Sequence, residues 1–302
     1  MTNCLGAWIR GVGMITVKLC TDLSDELIFN TFKEGFSDYF IQMEMTQDFF
    51  MAHFFGPEGN TKDQSFVAYK DDVVAGILLG GIRELDGIKT LRCGGMSVIP
   101  SARKKGVARE MMAIHEKMAR QAGVHQLFLE VLTINESAFK FYENIGYEKV
   151  YDLTYRSFTP DVDWFDGNPE MLLADHEAFH SIQQITLTDL EGLRHIDESH
   201  LPWQGSLEAV SMMDVTVFGV YKNGQLIAGL IGNQTRLFYI YVSPGHRLKG
   251  VGKALLMTYL QTCKVETCRF VYTNNARLHT FANHLNMTTG EYGQYEYYKW
   301  LE

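Results

Sequence analysis

Apolar and polar residues follow one another along this chain with a period that switches between two and about 3.6, the spacings of strands and helices. The first half predicts a strand over 15–20, helices near 25–35 and 46–54, and strands over 65–70, 73–84 and 88–98. A helix over 104–122, a strand over 126–132, a helix over 136–145 and a strand over 147–158 complete it. The second half predicts the same succession: strand 182–186, helices near 187–198 and 204–212, strands 215–222, 225–232 and 235–242, helix 249–263, strand 268–273, helix 276–285 and strand 287–300. Asn223-Gly224, between two strand-like runs, is a hairpin signal, and Asp71-Asp72 takes the same place in the first half. Hairpins alternating with helices predict α+β domains, each a mixed sheet flanked by helices.

The pattern repeats because the sequence does. Ser97-Val-Ile-Pro-Ser-Ala-Arg-Lys-Lys-Gly-Val-Ala108 and Tyr241-Val-Ser-Pro-Gly-His-Arg-Leu-Lys-Gly-Val-Gly252 both read x-V-x-P-x-x-R-x-K-G-V-(A/G), 144 residues apart. Each follows a strand-like run and opens an amphipathic helix. A second pair starts at Asn135 and Asn275; at this offset of 140, Phe141 matches Phe281 and Gly146 matches Asn286. Gly and Asn are the residues that best tolerate a left-handed helix end. Two copies of one domain follow, over 14–158 and 181–302. The polar, turn-rich stretch 159–180, with Pro160, Asp161, Asp163, Asp166, Gly167 and Pro169, joins them.

The 302 residues suffice for two domains, and 46% hydrophobic with 21% charged residues excludes a largely disordered chain. The net charge of −9 argues against non-specific nucleic-acid binding, which runs on Lys and Arg, and mildly favours cationic small molecules or basic peptides. The longest apolar run, Val73–Ile82, falls well short of the ~20 residues of a membrane helix, so no membrane partner is expected. Residues 1–13 hold one Arg and no long apolar core; they are not a signal peptide and read as an extension outside the fold. The cysteines at 4, 20, 93, 263 and 268 form no C-x-x-C pair, which predicts a reduced, cytoplasmic chain.

A glycine turn feeding a helix aims backbone N–H groups from the positive end of the helix dipole, an arrangement suited to phosphate. Gly106 and Gly250 let the backbone approach a ligand closely, and Arg103, Lys104 and Lys105, or Arg247 and Lys249, add cationic donors. Gly245-x4-Gly250 lacks the Lys-Ser/Thr of a P-loop, and Gly250-Val-Gly252 lacks the third glycine of a dinucleotide fingerprint.

These segments resemble motif A, (R/Q)-x-x-G-x-(G/A), of the GNAT (Gcn5-related) N-acetyltransferases, and the Asn…Tyr segment downstream resembles motif B. The resemblance covers about nine tenths of the chain and implies two tandem GNAT-type domains. It implies a twisted sheet whose strands splay beside motif A, with acetyl-CoA as co-substrate in the gap and no metal. Pyrophosphate would lie on the amides from Lys104 through Lys105, Gly106 and Val107 to Ala108, and in the second copy on Leu248, Lys249, Gly250, Val251 and Gly252. Pantetheine would pair with Met96 and Val98, or with Ile240 and Val242. Asn135 and Asn275 would flank the cofactor from motif B.

The stretch Leu127-Phe-Leu-Glu-Val-Leu-Thr-Ile-Asn135, with Tyr142 beyond it, is similar to the ribosomal-protein alanine N-acetyltransferase branch. That likeness implies Glu130 as general base and Tyr142 as general acid. An alkylamine of pKa about 10 is mostly protonated at pH 7, so Glu130 would take that proton, through water, while a backbone N–H near Val98 polarises the thioester. Tyr142 would protonate the departing thiolate. Glu84 is a second candidate base. The second copy has Ala282 at the place of Tyr142 and, counting back from Asn275, Phe270 at that of Glu130. Tyr292, Tyr295 or Tyr297 could stand in there. The expectation is therefore a catalytic first copy transferring acetyl to a primary amine, on a small molecule or a peptide, by direct attack in a ternary complex. Catalysis by the second copy, or a non-catalytic CoA-binding protein, are the alternatives. Two copies forming an internal pseudo-dimer would make a monomer sufficient.

Other constellations are weaker. His176/His180, His195/His200 and His279/His284 each place two imidazoles on one helical face, yet a zinc site needs a third ligand. Cys93 is a conceivable nucleophile, though cysteine is commonly just a small buried hydrophobe. Phe36, Tyr39, Phe40, Phe49, Phe50, Phe54 and Phe55 fall where this fold builds its acceptor wall, with Asp38 and Tyr39 the residues expected to touch substrate.

Overall fold

Local chemistry sets the elements of the first half. In this computed structural model, which describes residues 15–41, 44–173, 179–194, 197 and 199–302, strand β1 (Ile15–Leu19) leads into helix α1 (Asp25–Gly35). Ser24 caps α1 by accepting from Leu27 N at 3.3 Å, and Thr46 caps α2 (Gln47–Phe54) through Phe49 N at 3.2 Å. Strands β2 (Thr61–Lys70), β3 (Val73–Leu85) and β4 (Ile88–Val98) follow as a meander. Asp71 and Asp72 both take positive φ (51° and 62°), as a tight two-residue hairpin demands. Helix α3 (Val107–Gln121), strand β5 (Gln126–Leu132), helix α4 (Glu136–Glu143) and strand β6 (Glu148–Phe158) complete the first copy.

The connecting stretch carries a short helix α5 (Val162–Asp166) and a 3-10 segment, Pro169–Leu173. The second copy then runs β7 (Phe179–Gln184), α6 (Leu187–Arg194), α7 (Leu207–Ser211), β8 (Thr216–Lys222), β9 (Gln225–Gly232) and β10 (Arg236–Val242). Next come α8 (Val251–Cys263), β11 (Cys268–Thr273), α9 (His279–His284), β12 (Thr288–Thr289) and β13 (Gln294–Trp300). Asn223 and Gly224 form the expected hairpin, with φ of 52° and 77°. Several boundaries move: β2 starts at Thr61 rather than at 65, and α7 covers Leu207–Ser211 rather than 204–212. The helix expected at 276–285 starts only at His279, after a 3-10 turn over Asn274–Ala276, and the strand expected over 287–300 is broken between β12 and β13 around Gly290 and Gly293.

Compact units do not coincide with the copies. The first unit contains residues 1–150 together with 295–302, and the second contains 151–294. Most of β6, the last strand of the first copy, therefore belongs to the second unit, where it pairs antiparallel with β11 from Leu153↔Thr273 to Phe158↔Cys268. The last strand of the chain, β13, belongs to the first unit and adjoins β5. The sheet of the first unit is ordered β1-β2-β3-β4-β5-β13, and that of the second β6-β11-β10-β9-β8-β7.

In the first unit, alternate strand residues bury to opposite faces. Val17, Phe66, Leu78, Leu91, Leu127 and Leu129 pack with Met111, Ile114 and Ala119 of α3, while Val67, Ile77 and Leu79 pack with Ile28, Phe32 and Phe50 of α1 and α2. In the second unit α8 packs Leu255, Tyr259 and Leu260 against Val220, Leu230 and Phe270.

Candidate active site

The pairing of β4 with β5 is parallel and stops at Cys93↔Leu129. Immediately beyond, β4 carries an extra residue, Gly94: Gly80 faces Cys93 while Leu79 faces Gly95. Such a bulge bends its strand, and here the two strands part just before Glu130. Ile99 donates its N–H to Ala75 O at 2.9 Å. By the alternation of an antiparallel ladder, Ser97 also turns to β3, and Met96 and Val98 present their backbone groups to the gap. The second unit repeats the device. The β10–β11 pairing stops at Leu237↔Phe270, the extra residue is Phe238, and Ser243 N bonds Ile227 O at 2.9 Å, which turns Ile240 and Val242 to the gap.

The two glycine turns share one backbone. Lys104 and Leu248 both have φ of 60°, and Gly106 and Gly250 are left-handed N-caps at 83° and 77°. Of the predicted cations, Arg103, Lys105, Arg247 and Lys249 fold back onto their own turns. Arg103 Nε donates to Val98 O at 2.9 Å and Arg247 Nε to Val242 O at 2.7 Å; Lys105 Nζ reaches Ser101 O at 2.8 Å and Lys249 Nζ reaches Gly245 O at 2.9 Å. What faces outward is backbone. The first N–H to find a helical carbonyl is that of Glu110 in α3 and of Ala254 in α8, so the amides of Val107 and Ala108, and of Val251 and Gly252, precede the helical ladder. The turns differ in their surroundings: a Cβ at Gly106 would meet nothing within 4 Å, whereas one at Gly250 would lie 2.8 Å from Leu172 O of the connecting stretch.

Arg103 also holds Asp38 through two bonds of 2.6 and 2.7 Å, and Gly35 O at 3.2 Å. The neighbouring Tyr39 is hydrogen-bonded to the Asn135 side chain. Asn135 Oδ1 caps α4 through Ala138 N and accepts from Ser137 Oγ, so its amide NH2 is the group that donates to Tyr39. Asp38 and Tyr39 thus strap the end of α1 to both sides of the gap.

Tyr142 is buried beside Phe141 and Tyr147, and burial, with Cys93 and Tyr39 nearby, raises its phenol well above the ordinary value. It stays protonated at neutral pH, as an acid must. Burial pushes the Cys93 thiol up to about 12, which keeps it protonated at neutral pH. Glu130 is only 3% exposed at its side chain and meets Arg92 Nη2 at 2.6 Å; Arg92 Nη1 also holds Glu58, at 3.1 Å to Oε2 and 2.9 Å to the backbone O. Burial raises the Glu130 carboxyl to about 7; Arg92 opposes the shift, while Glu296 and Glu58 add to it. Glu84 lies exposed at the far end of the β3–β4 hairpin, opposite Lys89.

In the second unit the ladder corrects one alignment. Leu237↔Phe270 matches Cys93↔Leu129, so Val271, not Phe270, occupies the place of Glu130; the link from β11 to the helix is one residue shorter. Ala282 is fully buried opposite. Asn275 caps no helix: its Oδ1 accepts from Thr273 Oγ1 at 2.6 Å and from His200 N at 3.3 Å. Tyr292 bonds Glu291, and Tyr295 and Tyr297 belong to the first unit. A cavity of about 540 Å³ opens beside β10 and the turn, lined by Leu201, Phe238, Ile240, Val242, Phe270 and Phe281.

Of the predicted acceptor wall, Phe50 is core, in contact with Phe32 at 4.7 Å, whereas Phe40 and Phe49 are exposed. Cys4, His176, His195 and residues 1–13 lie outside the described residues. His279 Nδ1 sits 3.2 Å from Arg156, His200 stacks on Tyr151 at 4.4 Å and His284 lines the cavity. Among the described residues no group of three His, Cys, Asp or Glu is placed to hold a metal, and no helix is long and apolar enough to cross a membrane. Sequence reasoning missed Arg92, Glu58 and Glu296. The available signal was a lone charge inside an apolar strand, at Leu91-Arg92-Cys93 and Tyr295-Glu296-Tyr297.

The description "Acetyltransferase (GNAT) family" matches residues 26–147 and 179–286. An uncharacterized N-acetyltransferase of Escherichia coli K12, YjgM, is 31% identical over 86 residues, which is 28% of this chain and half the length of that relative. Among solved structures, a GCN5-related N-acetyltransferase from Sphaerobacter thermophilus superposes with a TM-score of 0.64 at 13% identity, over 95% of this chain and 96% of its own. A tandem GNAT protein of the clavulanic acid biosynthesis pathway does so at 0.60 and 15%, over 95% and 98%.

Proposed function

Because the chain belongs to the acetyltransferase (GNAT) family, we propose that it moves the acetyl group of acetyl-CoA onto a primary amine, with the chemistry in the first unit. The observation that carries this reading is the parting of β4 and β5 at Cys93↔Leu129, which leaves Glu130 on one wall and the unobstructed Gly106 turn at the mouth. The amides from Lys104 to Ala108 would take the pyrophosphate, and Met96 and Val98 the pantetheine arm. Arg103 acts here by holding the strap and the turn rather than by touching phosphate.

The acceptor arrives as an ammonium ion. Its proton passes to the Glu130 carboxylate, directly or through a water. The freed amine attacks the thioester carbonyl, polarised by backbone N–H; the C–N bond forms, the C–S bond breaks, Tyr142 gives the thiolate its proton, and the second proton on the new amide nitrogen passes back to restore the phenol. A carboxyl near pH 7 is well matched to that first transfer, and a phenol held protonated to the last. The acceptor is an amine of a small molecule or a peptide.

The test is calorimetric titration of the whole protein with acetyl-CoA, repeated for Gly106→Leu and Gly250→Leu. Binding lost only with Gly106→Leu supports the assignment; loss only with Gly250→Leu overturns it. A second reading rests on the apolar cavity in the second unit, which has the volume to hold part of the cofactor. Residual binding to Gly106→Leu, removed by combining the two substitutions, would favour it.

A further inference from the structure

Glu130 does not stand alone on its wall. Phe128 and Glu130 share one face of β5, and Glu296 and Tyr298 share one face of β13, by the two-residue period of a strand. Two contacts set the register between these strands: Leu301 N donates to His125 O at 3.0 Å, and the rings of Phe128 and Tyr298 lie 5.0 Å apart. In both, the numbers fall on the one side as fast as they rise on the other, as in an antiparallel ladder. The same register places Glu296 directly opposite Glu130. Cβ atoms of opposed residues lie about 4.5–5.5 Å apart, and like charges so placed repel. Glu296 is fully buried and Glu130 almost so.

The groups around the two carboxyls come from every neighbouring element. Arg92 from β4 bonds Glu130, and Glu58 from the segment after α2 bonds Arg92 and lies 3.6 Å from His53. Arg83 from β3 is buried and donates to Pro57 O at 3.0 Å, and Tyr298 donates to Glu296 Oε2 at 2.9 Å. Glu296, set opposite in a buried site, disfavours the charged form of Glu130, so the two carboxyls are energetically coupled.

We propose that Glu296, set opposite Glu130 in a buried ladder, is a positioning residue for the acid–base step of the first unit, its carboxylate easing the arrival of a proton on Glu130. This rests on the reading that the first unit is catalytic. In the reaction the Glu130 carboxylate accepts a proton from the acceptor ammonium: an N–H bond breaks and an O–H bond forms. Glu130 returns that proton to solvent after the amide is made. Glu296 thereby sets the pH at which Glu130 can accept.

The experiment pairs infrared spectroscopy of carboxyl protonation with the pH profile of kcat/KM, on the full chain, for wild type, Glu130→Gln, Glu296→Gln and Glu296→Asp. Wild type is expected to show a protonated-carboxyl C=O band titrating near neutrality. In Glu296→Gln that titration moves down by about one pH unit or more, since the neighbouring like charge is gone, and in Glu130→Gln the band is lost. The acid limb of kcat/KM moves with it in Glu296→Gln, acetyl-CoA affinity is unchanged, and Glu296→Asp, which keeps the charge, restores most of the wild-type profile. Unchanged affinity in either Glu296 variant certifies folding. A neutral-range band that stays put in Glu296→Gln overturns the pair. A band that moves while the acid limb does not overturns the role of Glu296 in the reaction. Full turnover by Glu130→Gln would instead remove catalysis from the first unit, and the role of the pair with it, while the spectrum still decides whether the pair exists.

Discussion

His115 gives the sharpest quantitative prediction. It sits on α3 at zero exposure, and neither ring nitrogen has a hydrogen-bond partner. In the second copy the residue 144 positions later is Tyr259, whose hydroxyl donates to Asn233 O at 2.7 Å, so the corresponding site there is satisfied. Burial pushes the His115 imidazole down to about 3. The unfolded chain has an ordinary histidine near 6.5, so below that pH it binds a proton that the native state refuses. The sign follows: stability is full above about pH 6.5 and is lost as pH falls towards 3, at about 1.4 kcal/mol per pH unit. Between pH 6.5 and 4.5 the loss is about 2.7 kcal/mol, a sizeable part of the ~5–15 kcal/mol of a typical fold. The assay is urea denaturation of wild type and His115→Leu at pH 7.5 and 4.5, read on the transition that the substitution shifts. The offset at pH 7.5 measures packing. The extra loss in wild type at pH 4.5 measures the proton, and is expected at roughly 2–3 kcal/mol. Equal losses in the two proteins, or an imidazole seen by NMR to titrate near 6.5 in the native state, would refute the argument.

Tyr142→Phe is expected to lower kcat by about 10²–10⁴-fold with little change in acetyl-CoA affinity, as loss of a general acid should; equal losses in both would place Tyr142 in binding instead. Gly106→Ala puts a Cβ on a residue at φ 83° and is expected to destabilise by about 1–2 kcal/mol in thermal melts, although no neighbouring atom is crowded. Asp38→Ala removes one tie of the strap and is expected to speed acetyl-CoA release in stopped-flow dilution several-fold without slowing the chemical step; unchanged release would show that the strap retains nothing. Deleting residues 295–302 removes Tyr297, 1% exposed in the first core, and is expected to abolish the cooperative melt of the first unit.

Features fixed by a few neighbouring residues were legible in the sequence. The hairpins at Asp71-Asp72 and Asn223-Gly224 and the turns at Gly106 and Gly250 are set by local backbone preference, and each formed where expected. The places of Glu130 and Tyr142 were taken from the resemblance; Arg92, the partner of Glu130, was not legible, because an ion pair across two strands leaves no mark in either strand alone. The bond from Lys105 to the carbonyl of Ser101 was not legible, because a turn can satisfy its own cations with its own carbonyls. Alignment on Asn275 slipped by one because the residue is reused to hold His200 rather than to cap a helix. The traded last strands were illegible altogether: β6 and β13 have equally good strand patterns, and nothing local says which β-edge each will join.

That trade also sets a timetable. A chain made at ~5–20 residues per second needs roughly 10–30 seconds to travel from residue 150 to residue 295. Throughout that interval the first unit lacks the strand that adjoins β5 and the two aromatic side chains, Tyr297 and Tyr298, that it buries. An unpaired strand edge is an invitation to other chains, so the nascent protein is at its most vulnerable while its second half is still being synthesised. The second unit, by contrast, receives β6 before the rest of its sheet exists. It can close as soon as its own residues emerge, and the half made first is the half finished last.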